Sequence, residues 1–236
     1  MGEKGRAIVV ALDGPAGAGK STIARRTAQA LGFTLLDTGA LYRVVALACE
    51  REGVPWNEDA ATAVAERLVR ENRMRLEPTE GSGMRILLDG VDVSALIRTP
   101  SISMGASTVS AVGGVRHALL DVQRDFAKGV RGLVCEGRDI GTVIFPHADV
   151  KIFLTASVDE RAQRRHGEFL AKDATMTLDQ TRQAVIERDA QDENRKVAPL
   201  RRADDAVVVD STGSDLEATV EKVIALVREK LAGEPR

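Results

Sequence analysis

The residues of this chain with the plainest chemical purpose are Gly14, Pro15, Ala16, Gly17, Ala18, Gly19, Lys20, Ser21 and Thr22. Gly14, Gly19, Lys20 and Ser21 fill the pattern G-x-x-x-x-G-K-[ST] after an apolar run (7–12) and before a helical pattern. Glycines let the backbone curl so that successive N–H groups point at one anion, at the positive end of a helix. Lys20 can then reach the β- and γ-phosphates, and the Ser21 hydroxyl can ligate Mg²⁺. A ligand-free glycine turn is the competing reading, but it leaves unexplained why every motif position is filled in the right setting. The expectation is a bound nucleoside triphosphate with its Mg²⁺.

What the phosphate is used for depends on the rest of the chain. A guanine-nucleotide switch needs an N-K-x-D element, and no Asn-Lys pair occurs. Its D-x-x-G signal occurs only as Asp210…Gly213, after the last apolar run. A motor ATPase usually brings a hydrophobic strand ending in Asp-Glu, and none of these runs does so. A small-molecule kinase needs an acceptor pocket and a cover that excludes water, and segments 40–128 and 157–195 are candidates for these. Arginine narrows the acceptor. A neutral hydroxyl would call for a catalytic base, whereas a phosphate monoester is already largely dianionic at pH 7, its second pKa being about 6. Two polyanions must instead be brought together by cations. Arg43, Arg138, Arg188 and Arg195, added to Lys20, suit that task. Arg161, Arg164, Arg165 and Arg182 read individually as solvated helix-face residues.

The elements that must position these groups follow from periodicity. Apolar runs at 7–12, 33–36, 133–135, 150–154 and 206–209 read as buried parallel strands separated by helices. The groups Gly14–Thr22, Asp37-Thr38 and Arg138-Asp139 all fall at strand carboxyl ends, where ligands of such sheets bind. Helices are expected after the phosphate loop (ended by Gly32), from about Ala40 to Gly53, and after Asn57 as N-cap. Short strands at 74–77, 84–88 and 91–93, the last two joined by Asp89-Gly90, suggest a small antiparallel sheet. Thr99-Pro100 opens another helix, and Ser157…Glu160 and Thr177…Gln180 are capping boxes. Ser214…Glu217 caps a closing helix with Leu216, Val220, Val223, Val227 and Leu231 toward the core.

Bulk properties set the frame. The 236 residues suit one α/β domain with an insertion. A formal net charge of -2 argues against non-specific nucleic-acid binding. The two cysteines, Cys49 and Cys135, lie in apolar runs at a spacing that suits no metal, so buried thiols in a reducing cytoplasm are expected. No apolar run approaches the ~20 residues of a membrane span, and no signal-peptide pattern is seen. Nothing demands a dimer, so a monomer is expected.

Taken in order, the motifs resemble those of the bacterial-type cytidylate kinases. The matching stretches are Asp13–Thr22, Leu36-Asp37-Thr38-Gly39-Ala40-Leu41-Tyr42-Arg43, Glu136-Gly137-Arg138-Asp139-Ile140-Gly141-Thr142-Val143 and Glu187-Arg188-Asp189, the last leading to Asn194-Arg195-Lys196-Val197-Ala198-Pro199-Leu200. The resemblance implies a five-stranded parallel sheet of order 2-3-1-4-5. It implies a single P-loop kinase domain with core 7–39, 129–156 and 203–232, a nucleoside-monophosphate-binding insertion at 40–128 and a lid at 157–202. It implies transfer of the γ-phosphate of MgATP to CMP or dCMP. Lys20, Arg138, Arg188 and Arg195 would be catalytic, and Arg43, Arg138 and Arg195 would hold the acceptor phosphate. Thr38, Arg116 and Asp139 would read cytosine, with Ser107, Arg188 and Asp192 around the sugar. Ser21 would ligate Mg²⁺ directly; Asp37, Asp139 and Glu136 are all open as the carboxylate that helps through water, with Asp37 taken first. Another P-loop kinase (of AMP, UMP or shikimate) or a non-enzymatic nucleotide-binding regulator is the alternative.

Overall fold

The chain alternates apolar runs with capped amphipathic segments, and each alternation becomes a strand and the helix that covers it. The structure, a computed structural model, describes residues 6–79, 83–170 and 176–233. β1 (Ile8–Asp13) leads through the phosphate loop into α1 (Lys20–Leu31), which Gly32 ends in a left-handed turn, its N–H on the Ala28 and Gln29 carbonyls. β2 (Thr34–Asp37) runs directly into α2 (Thr38–Glu52), two residues earlier than the sequence pattern indicates. Asn57 caps α3 (Glu58–Arg70), its side chain accepting from the Ala60 N–H. β3 (Met74–Thr79), β4 (Gly83–Leu88) and β5 (Val91–Asp92) form the small antiparallel sheet. Asp89 (φ 53°) and Gly90 (φ 78°) supply the two positive-φ residues of a tight hairpin. Residues 80–82, between β3 and β4, lie outside the described residues.

Thr99 caps α4 (Pro100–Ser110), and α5 (Gly113–Asp125) follows. β6 (Gly132–Gly137) feeds a single π-helical turn, Ile140–Ile144, and then β7 (Val150–Thr155). α6 (Val158–Leu170) and α7 (Leu178–Asn194) pack on each other. Both halves of the Thr177–Gln180 capping box are made at the start of α7. At the start of α6, Ser157 Oγ accepts from the Glu160 N–H, while the Glu160 carboxylate turns to Arg164. β8 (Val207–Asp210) and α8 (Leu216–Gly233) close the chain.

The main sheet is all parallel with order β2-β6-β1-β7-β8. Counting only its own strands along the chain, this is 2-3-1-4-5. One core lies between the sheet and helices α1 and α8, and a second, built on Ala11, Leu36, Leu133, Cys135, Ile140 and Ile144, covers the other face. The segment between β2 and β6 has a core of its own, centred on α2, which is apolar nearly all round and is enclosed by α3, α4, α5 and the small sheet. Cys49 and Cys135 are free thiols, both buried. Two expectations need correction. β8 is an edge strand in which only Val209 is buried, because successive side chains alternate between faces: Val209 joins the core with Val220, Val223 and Val227, while Val208 and Asp210 point to solvent. Leu216, the first residue of α8, is exposed, while Val220, Val223 and Val227 reach the core.

Candidate active site

The phosphate loop takes its shape from glycine. Gly14 sits at φ +151°, and a Cβ there would lie 2.0 Å from the Leu154 carbonyl oxygen of the neighbouring strand. Gly17 (φ +77°) presses against the backbone of Arg161. α1 starts immediately after, with no acidic residue in its first turn to compete for its N–H groups. Lys20 is buried and bends back to donate to the Pro15 carbonyl at 2.7 Å. Burial, and then the charge of Arg138, push its ammonium down to about 7 against the pull of Glu136, Asp192 and Asp13. Ser21 Oγ donates to Glu136 Oε2 at 3.0 Å, and burial followed by the charge of Asp37 raises Glu136 to about 7. Asp37 stands opposite Glu136 in the β2–β6 ladder and pairs with Arg43 at 3.2 Å. A hydroxyl and two carboxylates therefore converge at the mouth of the loop. Among the described residues no cluster of His, Cys, Asp or Glu is large enough to hold a metal unaided. Oxygen donors in that number fit an ion that keeps waters and binds a phosphate as well, as Mg²⁺ does.

Across from the loop, two buried carboxylates organise the arginines. Asp139, 3% exposed, follows Arg138 at the carboxyl end of β6. Arg116 donates to its Oδ2, and Arg195 Nη2 lies 3.3 Å from its Oδ1. Arg116 also donates to the Ser110 carbonyl at 3.1 Å and stands over the Tyr42 ring, 5.3 Å from its centroid. Asp192 is the second hub. It accepts from Arg138 Nε at 2.8 Å and pairs with Arg188 at 3.5 Å and Arg195 at 3.7 Å. Burial works to raise Asp192, but Arg138, Arg188 and Arg195 together hold it below the usual carboxylate range. Arg188 is lowered to about 10 by burial, with Arg138, Arg165 and Arg43 adding repulsion against Asp192. Its Nε is buried and makes no hydrogen bond. The cluster is cationic and crowded, with donors in excess of acceptors.

The sequence-derived residues are thus brought together, with two differences. Thr38 Oγ1 is buried and donates to the Glu136 carbonyl at 2.8 Å, and Ser107 Oγ donates to Gln191 Oε1 at 2.7 Å. Asp139 is engaged by Arg116 and Arg195, whereas Glu136 bonds Ser21 of the loop with Asp37 opposite it in the ladder. Arg161 and Arg165 contradict the solvated-face reading. Arg161, 4% exposed, donates to the Ala16 carbonyl of the phosphate loop (3.1 Å) and to Ala156 O (3.0 Å), and pairs with Asp189 on α7 (2.6 Å). Arg165 is half-buried, in the field of Arg138 and Arg43. Arg164 reaches Ser211, and only Arg182 pairs at the surface, with Asp159. For Arg161 the missed signal was position: the first turn of a helix that leaves a strand's carboxyl end faces the ligand side.

A family model described as "Cytidylate kinase" matches residues 10–229. The chain is 47% identical over 230 residues to a "Cytidylate kinase" of Geobacter sulfurreducens, covering 98% of this chain and 97% of that protein. It is 46% identical over 226 residues to one of Citrifermentans bemidjiense (95% and 94% covered). It is 44% identical over 226 residues to one of Shewanella loihica (96% of each).

Proposed function

The chain belongs to the cytidylate kinase family and is a nucleoside monophosphate kinase, and on that premise we propose that it transfers the γ-phosphate of MgATP to CMP or dCMP. The bond between the γ-phosphorus and the β,γ-bridging oxygen breaks, and ADP leaves with that electron pair. A bond forms from a phosphate oxygen of the monophosphate to the γ-phosphorus, giving CDP or dCDP. The acceptor oxygen is already anionic near neutral pH, so no general base is required.

Residues 14–22 cradle the triphosphate with backbone N–H groups, and Lys20 swings from Pro15 O to the β- and γ-oxygens. Filling the loop with anionic oxygens restores the Lys20 charge that burial and Arg138 now disfavour. Ser21 would hold Mg²⁺ directly, with Asp37 and Glu136 through its waters; the bound ion neutralises charge on the phosphate oxygens. Arg43, Arg138 and Arg195 hold the acceptor phosphate, and Arg138, Arg188 and Arg195 meet the charge that spreads over the transferring group. Asp139 accepts from the cytosine amino group, Arg116 donates to the ring acceptors, and the Thr38 hydroxyl completes the edge. A uracil carbonyl would set an acceptor against the Asp139 carboxylate, where cytosine offers a donor, and make no hydrogen bond there. Ser107, Arg188 and Asp192 contact the sugar. Segment 40–128 carries the acceptor, and segment 157–202 closes over it against the core of 7–39, 129–156 and 203–232.

The observation that carries this reading is the pair of buried carboxylates, Asp139 and Asp192, holding guanidinium groups in place opposite the phosphate loop. The test is a coupled assay with MgATP and CMP, dCMP, UMP, AMP or shikimate as acceptor. CMP and dCMP are expected to turn over best. Robust AMP turnover with none for CMP would sink the cytosine assignment while leaving the kinase class intact.

A further inference from the structure

Asp13 is the last residue of the central strand β1, and its backbone runs straight into Gly14 of the phosphate loop. Its side chain goes elsewhere. Oδ1 accepts from the Ile140 N–H and Oδ2 from the Gly141 N–H, each at 2.8 Å, and the carboxyl group is 5% exposed. These two N–H groups are the unpartnered donors at the start of the π-helical turn Ile140–Ile144. The turn itself begins on the Asp139 carbonyl, which accepts from Val143 and Ile144. Asp139 therefore lies between two fixed points, at φ −142° and ψ 26°, outside the regular helix and strand regions.

We propose that Asp13 is a positioning residue for phosphoryl transfer, locking the Arg138–Asp139 turn to the strand that opens the phosphate loop. One residue then serves both halves of the site: its main chain starts the donor cradle and its side chain holds the acceptor turn. Neighbouring contacts leave little slack. The β1–β6 register sets Asp13 beside Gly137, where a Cβ would meet Ile140 and Thr38 within 2.7 Å. A Cβ on Gly141 would meet the Lys151 stem at 3.0 Å and Asp13 Oδ2 at 3.4 Å. Only a carboxylate suits the position. It offers two acceptors to two donors, whereas an amide of the same shape would turn an NH₂ toward one of them. The charge is held there at a cost: burial, with Asp139 adding repulsion, raises the group to about 6 despite both hydrogen bonds and the charge of Lys20. A cap needed only to end a turn would not require a buried charge.

The inference rests on the proposed role of Arg138 and Asp139, so Arg138→Ala is run beside Asp13→Asn. For Asp13→Asn, kcat/KM for CMP is expected to fall by about tenfold or more, the scale of one buried unpaired donor. The preference for CMP over UMP narrows with it, and affinity for a fluorescent ATP analogue measured without acceptor stays within about twofold. Gly141→Ala, which pushes the turn off an intact carboxylate, should move the same readouts in the same direction by less; it decides the matter if Asp13→Asn fails to fold. Unchanged CMP kinetics and selectivity in the folded variant would overturn the proposal. So would an equal loss of ATP-analogue affinity, since Asp13 would then support the loop and not the turn. If Arg138→Ala leaves wild-type turnover of CMP, the role of Arg138 fails instead, whatever Asp13 does.

Discussion

The two halves of the proposed site, a donor half and an acceptor half, are built on opposite plans. The donor half is one unbroken stretch, Gly14–Thr22, and its working groups are mainly backbone N–H groups aimed by glycine dihedral angles. The acceptor half gathers side chains from α2, α4, α5, the turn after β6, and α7 with the residue that follows it. Its working groups are guanidinium ions that repel one another and stay together only because Asp139 and Asp192 lie between them. A loop of backbone donors is pre-shaped by chain geometry and changes little with charge. A lattice of side-chain ions is a balance, and removing one member unbalances several others. The donor half should therefore fail by steric change, and the acceptor half by charge change.

The largest effect expected is from Arg138→Ala. This side chain pairs with Asp192, and its charge reaches Lys20, so it stands between the halves. Transfer to CMP should fall by roughly 10²–10³-fold, the scale of losing one preorganised transition-state donor. ATP-analogue affinity should stay near wild type, and a comparable loss on both sides would erase the distinction between the halves. Asp139→Ala comes next. It leaves Arg116 and Arg195 buried with no carboxylate on that side, a change that costs about 3–5 kcal/mol when a buried pair is broken. Urea unfolding should show that loss, and the CMP-to-UMP preference should shrink by about ten- to a hundredfold. Selectivity that survives would remove Asp139 from base reading.

This contrast also explains what could be read from the sequence. The shape of the 14–22 loop was legible because its residues are adjacent and its turns are set by glycine, whose conformational reasons are local. The strands and helices were legible through periodicity and caps, down to Asn57, Thr99 and the Thr177–Gln180 box. The arginine–carboxylate cluster opposite the loop was legible only in part. Arg138 could be placed because it ends a buried strand, but Arg116 sits on a helix that periodicity would turn to solvent, and only the family motif picked it out. Arg161 was misread for the same reason: on α6 alone it is a face residue, and its burial comes from Ala16 and Asp189, which are far off in sequence. Side-chain ion pairs at long sequence separation leave no mark in helical periodicity; for Arg161 only its place in the first turn after β7 pointed to the ligand side.

Arg161 offers a smaller and sharper test, because it joins α6, in the proposed lid, to the phosphate loop. Arg161→Ala frees the Ala16 carbonyl and leaves Asp189 without its 2.6 Å partner. ATP affinity should weaken by about tenfold while CMP affinity and CMP-over-UMP selectivity hold, the reverse of the Arg138→Ala pattern. Isothermal titration with each nucleotide separates the two. A loss confined to CMP would mean that the lid serves the acceptor half alone.

The smallest effect concerns the joint between the halves and is read in stability. Asp13 is raised by burial from 3.8 to about 6, with Asp139 adding to the rise and the N–H groups of Gly141 and Ile140 and the charge of Lys20 opposing it. Between those two values the folded protein holds a proton on Asp13 that the unfolded chain has released. The unfolded state then binds fewer protons, so this group's contribution to stability falls as pH rises through the window and levels off above it. A shift of that size corresponds to at most about 3 kcal/mol. Asp13→Asn removes the titration but keeps the shape, and its own lost hydrogen bond is an offset that does not vary with pH. Subtracting the variant's unfolding free energy from the wild type's, at steps from about pH 4 to about pH 7, isolates the term. The difference should decline by about 1–3 kcal/mol over that range. A difference that grows with pH would mean that the two N–H bonds outweigh burial and hold the charge at no net cost. Asp13 would then stabilise the fold in its own right, and aligning the acceptor turn with the donor loop would require no sacrifice of stability at this residue.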